Sequence, residues 1–122
     1  MIIRRPILFF ASVVTFAVAG IAHAQDQDQT LKLAKLGVQF AANNARVAAE
    51  VCGVDASTVS NYKDTASRKF VQDPDFAKDW DAGWKNAAQT VNGLQQMKAS
   101  NPQEYDQQKG AICSDMRREM KS

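Results

Sequence analysis

Apolar residues recur at steps of three and four along most of this chain, whereas the strict alternation that marks a β-strand is almost absent. From residue 30 onward this spacing predicts four amphipathic helices joined by short connections. Because the chain has no internal repeat and no linker long enough to separate domains, we expect residues 30–122 to form one domain. The predicted fold class is all-α, a small four-helix bundle.

The first predicted helix runs from about Thr30 to Cys52, and Gly53 is the residue expected to end it in a left-handed conformation. Alanines lie on the same side of this helix as its larger apolar residues, and together they are expected to form the buried face. The larger apolar residues that recur at helical spacing are Leu33, Leu36, Phe40, Val47 and Val51. The second helix begins after Asp55 or Ser57, because either side chain can cap it.

Two dipeptides that contain proline mark the remaining helix boundaries. Asp73-Pro74 is expected to end the second helix and to start the third, with Asp73 as the N-cap and Pro74 as the first helical residue. Asn101-Pro102 repeats this signal before the fourth helix, and Glu104 stands at the capping-box position. Inside the third helix, Asn92-Gly93 marks a kink or an early end.

The N-terminal segment indicates where the protein works. Two arginines precede an apolar run from Ile7 to Ile21, and Ala22-His23-Ala24 has the small residues that a signal peptidase accepts. We expect residues 1–24 to be a cleaved signal peptide and residues 25–29 to be a flexible polar leader. The mature protein would then be periplasmic or secreted, with no stable membrane span.

Cleavage would change both the charge and the available chemistry. The whole chain has 15 Lys and Arg against 13 Asp and Glu, and loss of Arg4 and Arg5 leaves 13 of each. A neutral domain has no electrostatic reason to bind nucleic acid. The only histidine, His23, would also be lost, and with it Ser–His or Cys–His catalysis and histidine-ligated metals. The sequence therefore predicts a non-enzyme with no catalytic residue, cofactor or metal.

Cys52 and Cys113 are the only cysteines, and in an oxidising compartment we expect them to form a disulfide. The closed loop is long, so the bridge would contribute about 4 kcal/mol in the chain-entropy model. Cys52 ends the first helix, but Cys113 lies roughly 17 Å along the fourth. A bridge between them therefore implies that the helices of the bundle are offset or crossed.

The aromatic residues of the second and third helices are the best candidates for a binding site. Tyr62, Trp80 and Trp84 could line an interhelical pocket, and Gly83 could leave room there for a ligand or a partner. The alternative is that these aromatic rings form the core and that Gly83 relieves crowding between helices. The sequence leaves both interpretations open.

The acidic residues give no comparable signal. Four aspartates surround the start of the third helix and are expected to form a solvated face favoured by the helix dipole: Asp73, Asp75, Asp79 and Asp81. The acid and glycine spacing of a calcium-binding loop is absent. Glu50, Glu104 and Glu119 are isolated in sequence, with no sign of a paired carboxylate.

These features favour a small exported protein that acts by non-covalent interaction with another exported or envelope protein. It would be an accessory factor, inhibitor, chaperone or effector. The alternative is a carrier that holds a small apolar ligand in an aromatic interhelical pocket. In size, helicity and its single cysteine pair, the chain is similar to other small exported helical proteins, such as the acid-stress chaperones of the bacterial periplasm. This likeness includes no shared motif, so it assigns no role to any residue.

Overall fold

The computed structural model describes residues 19–121, with side chains from residue 27 onward. This part of the chain contains four α-helices and no strand: α1 (Ala19–Glu50), α2 (Ala56–Lys69), α3 (Phe76–Ser100) and α4 (Pro102–Met120). The predicted all-α fold class is therefore confirmed. Most of the predicted signal peptide, residues 1–18, lies outside the described residues.

Helix α1 is longer than the sequence predicts at one end and shorter at the other. Residues 25–29, assigned above to a polar leader, are helical, and no Pro or Gly interrupts the chain there. The helix ends at Glu50, two residues before the predicted limit. Gly53 then adopts a φ of 65°, as expected for a glycine that follows a helix. The amide of Val54 turns back to the carbonyl of Ala48 at 3.0 Å.

The buried face of α1 consists mainly of alanine, not of the larger apolar residues. Its core residues are Ala34, Val38, Ala41, Ala42, Ala45, Val47 and Ala48. The prediction that Leu33, Leu36 and Phe40 are buried is wrong, since they are 67%, 61% and 67% exposed. Small side chains let α3, the main packing partner of α1, approach closely, and bulky ones at this interface would hold the helices apart. We call the exposed row of Leu33, Leu36 and Phe40 the apolar ridge.

The predicted Asn101 cap is confirmed, and of the two cap candidates for α2 the structure selects Asp55 over Ser57. The Asp55 carboxylate accepts a hydrogen bond of 2.7 Å from the amide of Thr58 at the start of α2. Asn101 caps α4 through the amide of Glu104, and the Glu104 carboxylate accepts a bond of 3.0 Å from the Asn101 side chain. Helix α3 passes through Asn92-Gly93 without ending there.

The predicted N-cap at Asp73 is wrong. Helix α3 begins at Phe76, and Asp75 occupies the cap position without a side-chain cap. Asp73 is buried, and its Oδ1 accepts from the amide of Asp75 at 2.9 Å, which closes a local turn. Because this oxygen accepts from the amide of Asp75, which precedes the helix, the Asp73 carboxylate does not cap the amides at the start of α3.

The predicted disulfide is confirmed. Cys52 and Cys113 are bonded, with Cα atoms 5.4 Å apart, and the bridge ties the turn after α1 to the second half of α4. Arg117 also donates to the carbonyl oxygen of Cys52 at 3.3 Å. Within the described residues, no helix combines the length and the hydropathy needed to cross a bilayer.

Candidate functional site

Trp80 belongs to the core, as the second interpretation of the aromatic residues expects. It is 4% exposed and packs against the alanine face of α1. Its ring centroid lies 5.8 Å from that of Phe76 and 6.5 Å from that of Tyr62, both at tilted angles. The Nζ of Lys63, an exposed residue of α2, lies 5.4 Å from the Trp80 ring centroid.

Trp84, one helical turn after Trp80, is half-buried. Together the two rings form part of an open groove of about 510 Å³ beside α2. The other lining residues are Ala49, Val54, Ala56, Val59, Ser60, Lys63 and Asp81. The backbone oxygen of Trp84 accepts a bond of 2.8 Å from Arg46, which holds α3 against α1. The groove is apolar, but it offers few converging polar groups.

Gly83 has a packing role. A Cβ atom at this position would overlap the backbone of Gln39 on α1. The absence of a side chain therefore allows α1 and α3 to meet backbone against backbone. Gly83 also borders a shallow groove of about 300 Å³ along the α1–α3 seam.

Tyr62 points away from the tryptophan groove and into a polar cluster that the sequence analysis missed. Its hydroxyl donates a bond of 2.6 Å to Oε1 of Glu119 on α4. Asn44 of α1, which is 7% exposed, donates to Oε2 of the same carboxylate at 3.1 Å. Burial, and then the bond to Glu119, raises the pKa of Tyr62, so the phenol remains a donor at neutral pH.

One feature of the sequence could have identified this cluster. Asn44 interrupts the alanine face of α1, and a buried amide there requires a polar partner. The identity of that partner is not encoded locally, since Glu119 lies 75 residues away. Three helices thus each contribute one polar side chain to the same point.

The Tyr62–Glu119 pair lines a partly enclosed cavity of about 440 Å³ between α1, α2 and α4. The apolar lining residues are Gly37, Phe40, Ala41, Ala66 and Phe70, and the polar ones are Tyr62, Thr65, Lys69 and Glu119. The ring of Phe70 lies directly over Gly37, where a Cβ atom would overlap it. We call this space the α1–α2–α4 cavity.

The apolar ridge lies between two depressions. Phe40 forms part of the wall of the α1–α2–α4 cavity on one side. On the other side, Leu36 and Phe40 border the shallow α1–α3 groove, together with Gln39, Asn43, Gly83 and Asn86. Large apolar side chains are thus exposed next to concave surface, which is typical of binding surfaces.

The aspartates before α3 do not form a fully solvated face, so that expectation is wrong for Asp73 and Asp79, which are buried. The Nζ of Lys35 on α1 donates hydrogen bonds to the carboxylates of Asp73, Asp75 and Asp79 at 3.3, 3.0 and 3.2 Å. These bonds, chiefly that to Asp75, raise the pKa of Lys35. Burial raises the pKa of Asp79, but its interactions with Asp73, Lys35 and Gln39 outweigh burial and lower it overall. The cluster joins α1 to the start of α3.

Among the described residues, no group of three or more His, Cys, Asp or Glu side chains is arranged to hold a metal ion. Neither a protein-family model, nor a curated protein, nor a solved structure matches the chain.

Proposed function

We propose that this is an exported, non-enzymatic binding protein that captures another exported or envelope protein through the apolar ridge. The observation that carries the proposal is the exposure of Leu33, Leu36 and Phe40, each 61–67% accessible on the longest helix of the bundle. Exposed apolar side chains in a row, rather than scattered singly, are typical of protein-binding surfaces.

The spacing of the ridge favours a helical partner. Leu33, Leu36 and Phe40 stand at positions i, i+3 and i+7, which is the pattern of a helix seam. A second helix laid along the ridge can place its own apolar side chains in the depressions on either side, as ridges pack into grooves. We therefore propose that the partner presents an amphipathic helix.

The charges around the ridge favour acidic residues at the border of that helix. Lys32 is exposed on α1 next to Leu33. Of the two charged residues that line the α1–α2–α4 cavity, Lys69 is exposed, whereas Glu119 is half-buried and accepts from Tyr62 and Asn44. The α1–α3 groove is bordered by the neutral polar residues Gln39, Asn43 and Asn86. Complementary rim charges mainly increase the association rate and the selectivity.

The proposed compartment depends on the N-terminal pattern and on the disulfide. Cleavage after Ala24 would release residues 25–122 outside the cytoplasm. The Cys52–Cys113 bridge is consistent with folding in an oxidising compartment, where such bonds persist.

Photo-crosslinking tests the proposal directly. A photoreactive residue in place of Leu36 should form a covalent adduct with a specific protein in the exported compartment, and mass spectrometry should map the adduct to an amphipathic helix. The purified partner should then bind Leu36→Gln and Phe40→Gln about tenfold or more weakly than the unaltered protein. Both variants should keep the melting temperature, because the altered side chains are exposed.

Val71→Gln is the matched control, since Val71 is 73% exposed but lies outside the ridge, between α2 and α3. It should keep full affinity. Equal binding by the ridge variants, or loss of binding only in variants that unfold, would contradict the proposal. Adducts formed only with a second copy of this chain would also contradict it, since the ridge would then be a homodimer interface.

A further inference from the structure

We propose that the α1–α2–α4 cavity receives one large aromatic side chain of the partner helix that lies along the apolar ridge. This inference rests on the proposed capture of a protein and deepens it, because it names the residue type on which recognition depends. It is carried by the unequal depth of the two depressions beside the ridge, by the walls of the cavity and by the charges that line it.

The two depressions beside the apolar ridge differ in size and in lining. The α1–α2–α4 cavity has a volume of about 440 Å³ and is partly enclosed, whereas the α1–α3 groove has about 300 Å³ and is more open. The side-chain amides of Gln39, Asn43 and Asn86 border the groove, while the cavity walls are mainly apolar. A helix on the ridge therefore finds room for a large apolar side chain on one side, and we expect small or polar residues on the other.

Two phenylalanine rings line the cavity. Because Gly37 has no side chain, the ring of Phe70 lies against the backbone of α1, where a Cβ atom would overlap it. Phe40 supplies the second ring, and the short side chains of Ala41 and Ala66 leave space that larger ones would fill. An aromatic side chain placed in this space would contact other rings, and such pairs are stabilised beyond the burial of apolar area.

The charges that line the cavity disfavour a charged side chain there. The Nζ of Lys69 lies 5.5 Å from the ring centroid of Phe70, so a cation is already present at this ring. The half-buried carboxylate of Glu119, which accepts from Tyr62 and Asn44, would repel an acidic side chain. An uncharged aromatic side chain avoids both costs, and the Lys69 ammonium attracts the face of its ring.

Phe40 connects the cavity to the rest of the proposed interface, since it belongs both to the apolar ridge and to the cavity wall. The inserted side chain would thus lie next to the residues that the partner helix covers. In protein interfaces, a few aromatic residues that fill well-packed pockets carry most of the binding energy. We therefore expect affinity to depend on this one residue of the partner more than on its neighbours.

Blocked amino-acid amides test the cavity in the absence of the partner. N-acetyl-tryptophanamide, N-acetyl-phenylalaninamide and N-acetyl-leucinamide are each titrated into the protein with its disulfide intact, and backbone amide chemical shifts measure binding. We expect the two aromatic amides to bind about three- to tenfold more tightly than the leucine amide. The largest shifts should fall at Gly37, Thr65 and Ala66, which line the cavity.

Thr65→Trp should fill the cavity from the exposed side of α2 and abolish binding of the aromatic amides. Ser60→Trp and Asn86→Trp are the matched controls, because they place the same side chain in the groove beside Trp84 and in the α1–α3 groove. Both controls should bind the aromatic amides normally. All three positions are exposed, so the variants should keep the melting temperature.

The captured partner provides the second measurement. Its helix, mapped by photo-crosslinking at position 36, should contain an aromatic residue whose replacement by alanine weakens binding about tenfold or more. Thr65→Trp should weaken binding of the unaltered partner by a similar factor. A mapped helix with no such aromatic residue would refute the inference and leave capture at the ridge intact.

Failure of this inference and failure of the proposed function give different results. Leu36→Gln should lose protein capture but bind the aromatic amides normally, because Leu36 does not line the cavity. Equal affinity for the three amides, no binding of any of them, or equal effects of Thr65→Trp and Ser60→Trp would each overturn the inference alone. Binding of the amides by a protein whose ridge captures no partner would overturn both, since the cavity would then serve a small ligand.

Discussion

The hydroxyl of Tyr62 on α2 donates a 2.6 Å hydrogen bond to the carboxylate of Glu119 on α4, 57 residues further along the chain. Asn44 of α1 holds the other oxygen of that carboxylate. A single carboxylate thus joins three helices and lines the α1–α2–α4 cavity. Because it is half-buried, each donor that it loses should reduce stability measurably.

Tyr62→Phe should lower the free energy of unfolding by about 1–3 kcal/mol, because it leaves a half-buried carboxylate with one donor fewer. Urea denaturation followed by circular dichroism measures the change. Tyr105→Phe is the control, since the described residues provide no hydrogen bond to the Tyr105 hydroxyl, and it should change stability by less than about 0.5 kcal/mol. Equal losses in the two variants would show that the Tyr62–Glu119 bond has no special role.

Cys52→Ser should destabilise the fold by about 2–5 kcal/mol, because the unfolded chain regains the freedom that the 61-residue separation restricts. Chemical denaturation of the variant, compared with the unaltered protein under oxidising conditions, measures the effect. Reduction of the unaltered protein should produce a similar loss. If neither treatment shifts the denaturation midpoint, the bridge does not contribute to stability.

Two glycine-to-alanine substitutions in α3 should change the stability of the protein in opposite directions. Gly83→Ala should destabilise the protein by about 1–3 kcal/mol, because the new methyl group would overlap the backbone of Gln39 and push α1 away. Gly93→Ala should stabilise it by up to about 1 kcal/mol, since nothing lies within 4 Å of its added methyl group and alanine favours the helix. Melting temperatures of the pair provide the measurement, and a common sign would contradict the close approach of α1 and α3.

The cluster around Lys35 should make stability depend on pH. The pKa of Asp79 is below its ordinary value of 3.8, so its contribution is present above that pH and is lost as the pH falls through the folded-state pKa. The pKa of Lys35 is raised, so its contribution is present below its ordinary value of 10.5 and is lost at still higher pH.

Lys35→Met should therefore destabilise the protein at neutral pH and much less in strong acid, where the Asp79 carboxylate is protonated and no longer needs a cation. Unfolding free energies measured from neutral pH down to strong acid provide the test. Lys32→Met is the control, because Lys32 is exposed and lies outside the cluster. Parallel pH profiles for the two variants would contradict the proposed coupling.

The sequence by itself determined the features that depend on residues close together in the chain, and the disulfide, for which only one pairing of cysteines exists. The Asn101 cap is predicted correctly, and the cap of α2 is limited to Asp55 or Ser57, because a cap involves an amide only a few residues away. The disulfide is predicted correctly because two cysteines allow one pairing. Helical periodicity likewise identifies the all-α class without any knowledge of the tertiary structure.

Only the tertiary structure decided which surfaces are buried. Helix α1 carries both an alanine face and the apolar ridge, and periodicity alone cannot choose between them. The close approach that Gly83 allows selects the alanine face and leaves Leu33, Leu36 and Phe40 exposed. Asp73 does not cap α3 for a similar reason, because its carboxylate accepts hydrogen bonds from the amide of Asp75 and from Lys35 on α1.

The Tyr62–Glu119 pair shows the same limit at the candidate site. The residues around Tyr62 and around Glu119 form no pattern that predicts their pairing, and 57 positions separate the two. Asn44 alone, on the buried face of α1, indicates that a polar partner must exist. Local propensities act over a few residues, whereas side-chain pairing between helices depends on how the packed helices are arranged, and that arrangement decided both the cavity and its carboxylate.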